Sequence, residues 1–195
     1  MRHKVYRVVT LCVCGFMLFF NSGLCFAQTA SQPAIGSQAH PNVGSIAPDF
    51  TLQDQDEKQV SLHDFRGKNV VVVFYVFCFS PKANQELSAL KAEAEKWDAK
   101  AQFLAVSVDT VPVNHAFADT LGLKFPLLSD SEMKVGSLYG AYSPRSRVTA
   151  VDYRRAQATW VIDPRGRILA TRRGEAALNP MPFFEGLKDG EPSPQ

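Results

Sequence analysis

Cysteine is scarce and poorly placed for a disulfide. Four occur in 195 residues, and Cys12, Cys14 and Cys25 crowd near the N-terminus, away from Cys78. An excess of one charge is lacking as well. Lys+Arg number 21 against Asp+Glu 19, which excludes a polybasic nucleic-acid binder or an acidic tail. No internal repeat and no Cys/His group at metal-ligand spacing is present, so neither a solenoid nor a structural metal site is expected, and no cofactor is implied. Long apolar runs are few. The one at residues 8–20 falls short of the roughly 20 residues that a spanning helix needs. What is present is ordinary for a folded domain: 46% hydrophobic and 11% aromatic residues exclude a largely disordered chain.

The N-terminus has the three parts of a secretory signal. Arg2, Lys4 and Arg7 precede the apolar run, and Cys25 and Ala27 stand at the −3 and −1 positions of a cut before Gln28. The alternative is an uncleaved anchor. Residues 1–27 are therefore expected to be removed, and the product to be periplasmic or secreted, with no membrane attachment after cleavage. The product loses three bases and no acid, so 18 bases face 19 acids, a net charge of −1. It also keeps a single thiol, Cys78, in an oxidising compartment. Such a thiol is buried and inert, paired with another molecule, or reactive.

Residues 28–42 are rich in Gln, Ser, Ala and Pro without apolar periodicity and read as a flexible linker. Residues 43–175 carry the regular pattern, and residues 176–195 read as a tail. Short strands are expected at 49–52 and 59–62, with one helical turn or a loop over 63–68. Residues 69–77 hold the continuous run Val70-Val71-Val72-Val73-Phe74-Tyr75, the mark of a strand buried on both faces. A helix should open at Ser80-Pro81, a good N-cap followed by a good first residue. Leu87, Leu90, Ala94 and Trp97 recur at helical spacing and should face the sheet. A second buried strand spans 103–108, a helix 114–121 stopped by Gly122, an extended piece 125–128, and a helix 131–139. Strands at 158–162 and 167–170 enclose the turn Asp163-Pro164-Arg165-Gly166. This order predicts an α/β fold, a central mixed sheet with helices on both faces.

The words in this sequence are also familiar. Val43-Gly44-Ser45-Ile46-Ala47-Pro48-Asp49-Phe50-Thr51-Leu52 resembles the opening of a peroxiredoxin, and Val60-Ser61-Leu62-His63-Asp64-Phe65-Arg66-Gly67-Lys68 its next segment. Val106-Ser107-Val108-Asp109, Phe125-Pro126-Leu127-Leu128-Ser129-Asp130 and Val161-Ile162-Asp163-Pro164-Arg165-Gly166 resemble later ones. The resemblance runs over residues 43–173 and is to the alkyl hydroperoxide reductase/thiol-specific antioxidant branch of the thioredoxin superfamily. It implies a thioredoxin-like fold of peroxiredoxin type. It also implies a site in which a cysteine thiolate in the first turn of a helix attacks peroxide, helped by a threonine or serine, a proline and a distant arginine.

Matched residue by residue, that site is incomplete. Val76 stands at the proline position and Ser80 at the threonine position. Ala83 stands where the attacking cysteine belongs, and Gln157 where the arginine belongs. Ser88 occupies the place that carries a resolving cysteine in one subgroup. A related Cys-x-x-Cys oxidoreductase is excluded in the same way, because Phe79-Ser80-Pro81-Lys82 fills that motif. Cys78 remains as a candidate nucleophile or as a small hydrophobe at a strand end. Lys82 and Arg155 remain as basic residues within reach of a pocket, or as solvated side chains. Two readings stay open: a degenerate scaffold that binds an unidentified protein or small-molecule partner, and a one-thiol antioxidant or thiol–disulfide oxidoreductase working through Cys78. A homodimer is left open. No nucleic-acid patch is expected.

Overall fold

A computed structural model describes residues 40–97, 100–142 and 157–174. The described strands are β1 (Thr51–Gln53), β2 (Gln59–Ser61), β3 (Asn69–Phe74), β4 (Ala101–Ser107), β5 (Leu127–Ser129), β6 (Ala158–Ile162) and β7 (Ile168–Arg173). The helices are α1 (Pro81–Trp97), α2 (Val111–Leu121) and α3 (Lys134–Leu138), with one 3-10 turn at Leu62–Phe65. The sheet runs in the order β2-β1-β5-β4-β3-β6-β7.

The valine run forms the central strand β3, paired parallel to β4 and antiparallel to β6. Val70 through Tyr75 are all buried, as a strand covered on both faces requires. Its side chains alternate between two cores. Val70, Val72 and Phe74 join Phe50, Tyr139, Tyr142 and Trp160 in one. Val71, Val73 and Tyr75 join Leu87, Leu90, Phe103 and Phe117 in the other. The connections β3–α1–β4 and β4–α2–β5 both link parallel neighbours and step in the same direction across the sheet. Right-handed crossovers place such helices on one face, and α1 and α2 share the second core. The α3 segment lies on the other face, with Val135 in the first core.

Most strand bounds shift by one to three residues from the sequence expectation, β1 to 51–53 from 49–52 and β4 to 101–107 from 103–108 among them, and three further boundaries differ for a reason seen locally. β3 ends at Phe74 instead of residue 77, because the chain leaves the sheet and turns at Phe79, whose φ is 59°. α2 begins at Val111 rather than 114, with Thr110 at the cap and Pro112 in the first turn, where a missing N–H costs nothing. α3 begins at Lys134 rather than 131. Met133 takes a left-handed φ of 56°, and the buried Asp130 carboxylate accepts the N–H groups of Val135 (3.2 Å) and Gly136 (2.7 Å). The expected signal at residues 1–27 and the tail at residues 176–195 lie outside the described residues.

Gly136 has no room for a side chain. A Cβ there would stand 1.9 Å from Cδ2 of Tyr142. That ring is buried, and its hydroxyl donates to the Tyr75 carbonyl at 3.3 Å, so it cannot swing aside. Gly136→Ala should therefore destabilise the protein by about 1–3 kcal/mol in urea unfolding. An unchanged midpoint would mean that this contact is not tightly packed.

Candidate functional site

The site forms where β3 ends and α1 begins. Phe79 in the left-handed region is a steric outlier for so bulky a residue, and such strain concentrates at functional sites. It reverses the chain so that Ser80 caps the helix. The Ser80 hydroxyl accepts the Ala83 N–H at 3.1 Å and donates to the Phe77 carbonyl at 3.0 Å. The Ser80 carbonyl accepts the first helical bond, from Asn84 N–H, at 3.0 Å. Both capacities of the hydroxyl are thus in use within the turn.

Beside this turn lies a cavity of about 200 Å³, lined by Val76, Phe77, Ser80, Lys82, Ala83, Glu86 and Gln157. Gln157 reaches it from the start of β6. Antiparallel pairing sets Ala158 opposite Phe74, so the residue before it falls beside the end of β3. Its backbone carbonyl is fixed by the Gly174 N–H at 2.8 Å. Five of the residues singled out in the sequence therefore meet around one space: Val76, Ser80, Lys82, Ala83 and Gln157. Arg155 lies outside the described residues.

Cys78 does not join them. It is buried in the second core and is not among the residues that line the cavity. Its backbone N–H donates to the Asp109 carboxylate at 2.7 Å. Its thiol lies 3.2 Å from Oδ1 of Asn114, which also accepts from Tyr75 (3.2 Å) and Ser107 (3.1 Å). Burial pushes the thiol up to about 12, and the Asp109 carboxylate adds to this, against a partial lowering by the Tyr75 hydroxyl. At neutral pH the thiol therefore stays protonated. Because it precedes the helix, Cys78 also stands outside the first turn, where the N-terminal dipole favours an anion.

Glu86 is the site residue that sequence reasoning missed. It is 7% exposed and bonded to the Gln157 side-chain amide, whose Nε2 donates to Oε1 of Glu86. Burial raises its carboxyl to about 7, against lowering by Lys82 and by the Gln157 amide. One signal was available. Glu86 falls one turn after Ala83 and next to Leu87, on the stripe that also carries Leu90 and Trp97, where a charge is out of place.

The architecture is that of a thioredoxin-like fold of peroxiredoxin type. The AhpC/TSA family model matches residues 43–171, and the chain belongs to that family of antioxidant oxidoreductases. Alkyl hydroperoxide reductase E of Mycobacterium tuberculosis is 37% identical over 133 residues, 65% of this chain and 82% of that protein. The chloroplastic peroxiredoxin Q of Gentiana triflora is 35% identical over 130 residues, 66% of this chain and 60% of that one. Among solved structures, peroxidoxin BcpB from Mycobacterium tuberculosis matches with a TM-score of 0.64 at 23% identity, covering 74% of this chain and 94% of that one. The bacterioferritin comigratory protein of Xanthomonas campestris matches with a TM-score of 0.62 at 21% identity, covering 72% and 91%. These two likenesses concern the fold.

The buried carboxyl has a consequence for stability. Its folded value of about 7 lies above the ordinary 4.5, so between those values the folded chain binds more protons than the unfolded one. Stability from this group therefore falls as pH rises through that window, and the loss is complete above 7. Relative to Glu86→Gln, the wild type should lose roughly 2–3 kcal/mol between pH 5 and pH 8 in urea unfolding. Parallel curves for the two proteins would show that Glu86 is not held in this environment.

Proposed function

We propose that this domain is an exported peroxiredoxin scaffold without thiol peroxidase chemistry, which uses the cavity at the start of α1 to hold a small molecule. The observation that carries this reading is the cavity itself, with a methyl group at Ala83 where the family's nucleophile is expected. Among the described residues, nothing near it replaces that nucleophile. The Ser80 hydroxyl is engaged at both ends, and the Cys78 thiol is buried elsewhere.

The electrostatics point the same way. Peroxide reduction develops negative charge on oxygen, which a cation or a donor must stabilise. At the arginine position Gln157 is neutral, and its amide is turned to the Glu86 carboxyl. An anionic oxygen placed here would meet a carboxylate above pH 7 rather than a guanidinium. Binding of an uncharged or cationic molecule does not meet this penalty. Export follows from the basic, apolar and small-residue order of residues 1–27 and is part of the same proposal.

Rebuilding the site tests the reading. Ala83→Cys alone should give little hydrogen peroxide turnover with dithiothreitol as reductant. Ala83→Cys combined with Gln157→Arg should exceed it by about 100-fold or more, the scale on which one transition-state donor acts. Equal rates for the single and double variants would show that Gln157 does not occupy the arginine's place.

A further inference from the structure

The polar groups of the cavity are unbalanced. Gln157 is 2% exposed, and its Oε1 has no hydrogen-bond partner. Beside it stands the Glu86 carboxyl, of which Oε1 accepts the Gln157 amide. Ser80 has no proton to offer, because its hydroxyl hydrogen is directed to the Phe77 carbonyl. Apart from Lys82, the rest of the wall is hydrocarbon from Val76, Phe77 and Ala83. A buried acceptor without a donor is unfavourable, so this arrangement favours a ligand that brings one.

We propose that the cavity binds a small primary amine in its ammonium form, with the –NH₃⁺ group between Glu86 and Oε1 of Gln157 and the hydrocarbon body against Val76, Phe77 and Ala83. This rests on the reading of the cavity as a binding site. An ammonium carries three donors, which suits a carboxylate and an orphaned amide oxygen, whereas a hydroxyl carries one. A carboxylate ligand brings only acceptors to a site already rich in them. A volume of about 200 Å³ admits a body of benzene size, since a cavity near 150 Å³ accommodates benzene itself. Two described groups bear on Glu86: Lys82 one turn earlier on its own helix, and the neutral Gln157 from β6. Lys82 is half-buried at the wall and competes with the ligand for the carboxylate.

Three probes of one shape separate the possibilities: benzylamine, benzyl alcohol and benzoate, titrated into the purified protein and followed by the amide NMR signals of Ala83 and the Gln157 side chain. Benzylamine should bind at least 10-fold more tightly than the alcohol at pH 8, and benzoate should not bind. Its affinity should fall about 10-fold from pH 8 to pH 6, as Glu86 takes up a proton. Glu86→Gln should level the amine with the alcohol while leaving the alcohol bound, which also reports that the variant is folded. Lys82→Met should strengthen amine binding. A preference for benzoate, or an amine preference unchanged in Glu86→Gln, overturns the amine assignment and leaves the cavity as a binding site. Failure of all three probes to shift either signal overturns the binding site as well.

Discussion

Strand β3 is the constraint on which the rest depends. Its valines are buried on both faces and pair with β4 on one side and β6 on the other. That double pairing fixes where β3 stops, and the stop fixes the site. α1 must start just beyond it, capped by Ser80, and Gln157 must arrive beside it as β6 begins. A sheet built this way places one helix start and one strand start in contact whatever residues they carry. The family's chemistry depends on what stands there. In this chain those places hold Ala83 and Gln157, and the proposed function rests on that exchange.

Much of the fold was legible because its signals are local and strong. The apolar run of β3, the Ser80-Pro81 start of α1 and the Gly122 stop of α2 each act within a few residues, and the last is seen as a left-handed cap with φ 60°. The boundaries that moved depend on caps and unusual backbone that apolar periodicity does not register. The turn at Phe79 shortens β3 because a bulky residue adopts φ 59°, a conformation that propensity argues against. The start of α3 is set by a buried carboxylate, Asp130, and by the left-handed Met133, neither of which periodicity registers.

The site was legible in its positions and not in its interactions. The family words brought Val76, Ser80, Ala83 and Gln157 into register, and they do share one cavity. The partner of Gln157 was missed although Glu86 lies on the apolar stripe of α1 with Leu87 and Leu90. That stripe marks Glu86 as inward, and only the packing of α1 against the start of β6 shows which residue it meets. Cys78 presents the opposite case. Its position two residues before the helix left its environment open, and the structure gives it Tyr75, Ser107 and Asn114 as neighbours inside a core. Burial there opposes the thiolate form that redox chemistry requires.

The proposed function has this family member bind at the cavity without reducing peroxide. The rate of hydrogen peroxide loss with wild-type protein and excess dithiothreitol, against buffer and against Cys78→Ser, tests it. All three rates should coincide. Peroxide consumption by the wild type that disappears in Cys78→Ser would contradict it, and would make the buried thiol the reactive group.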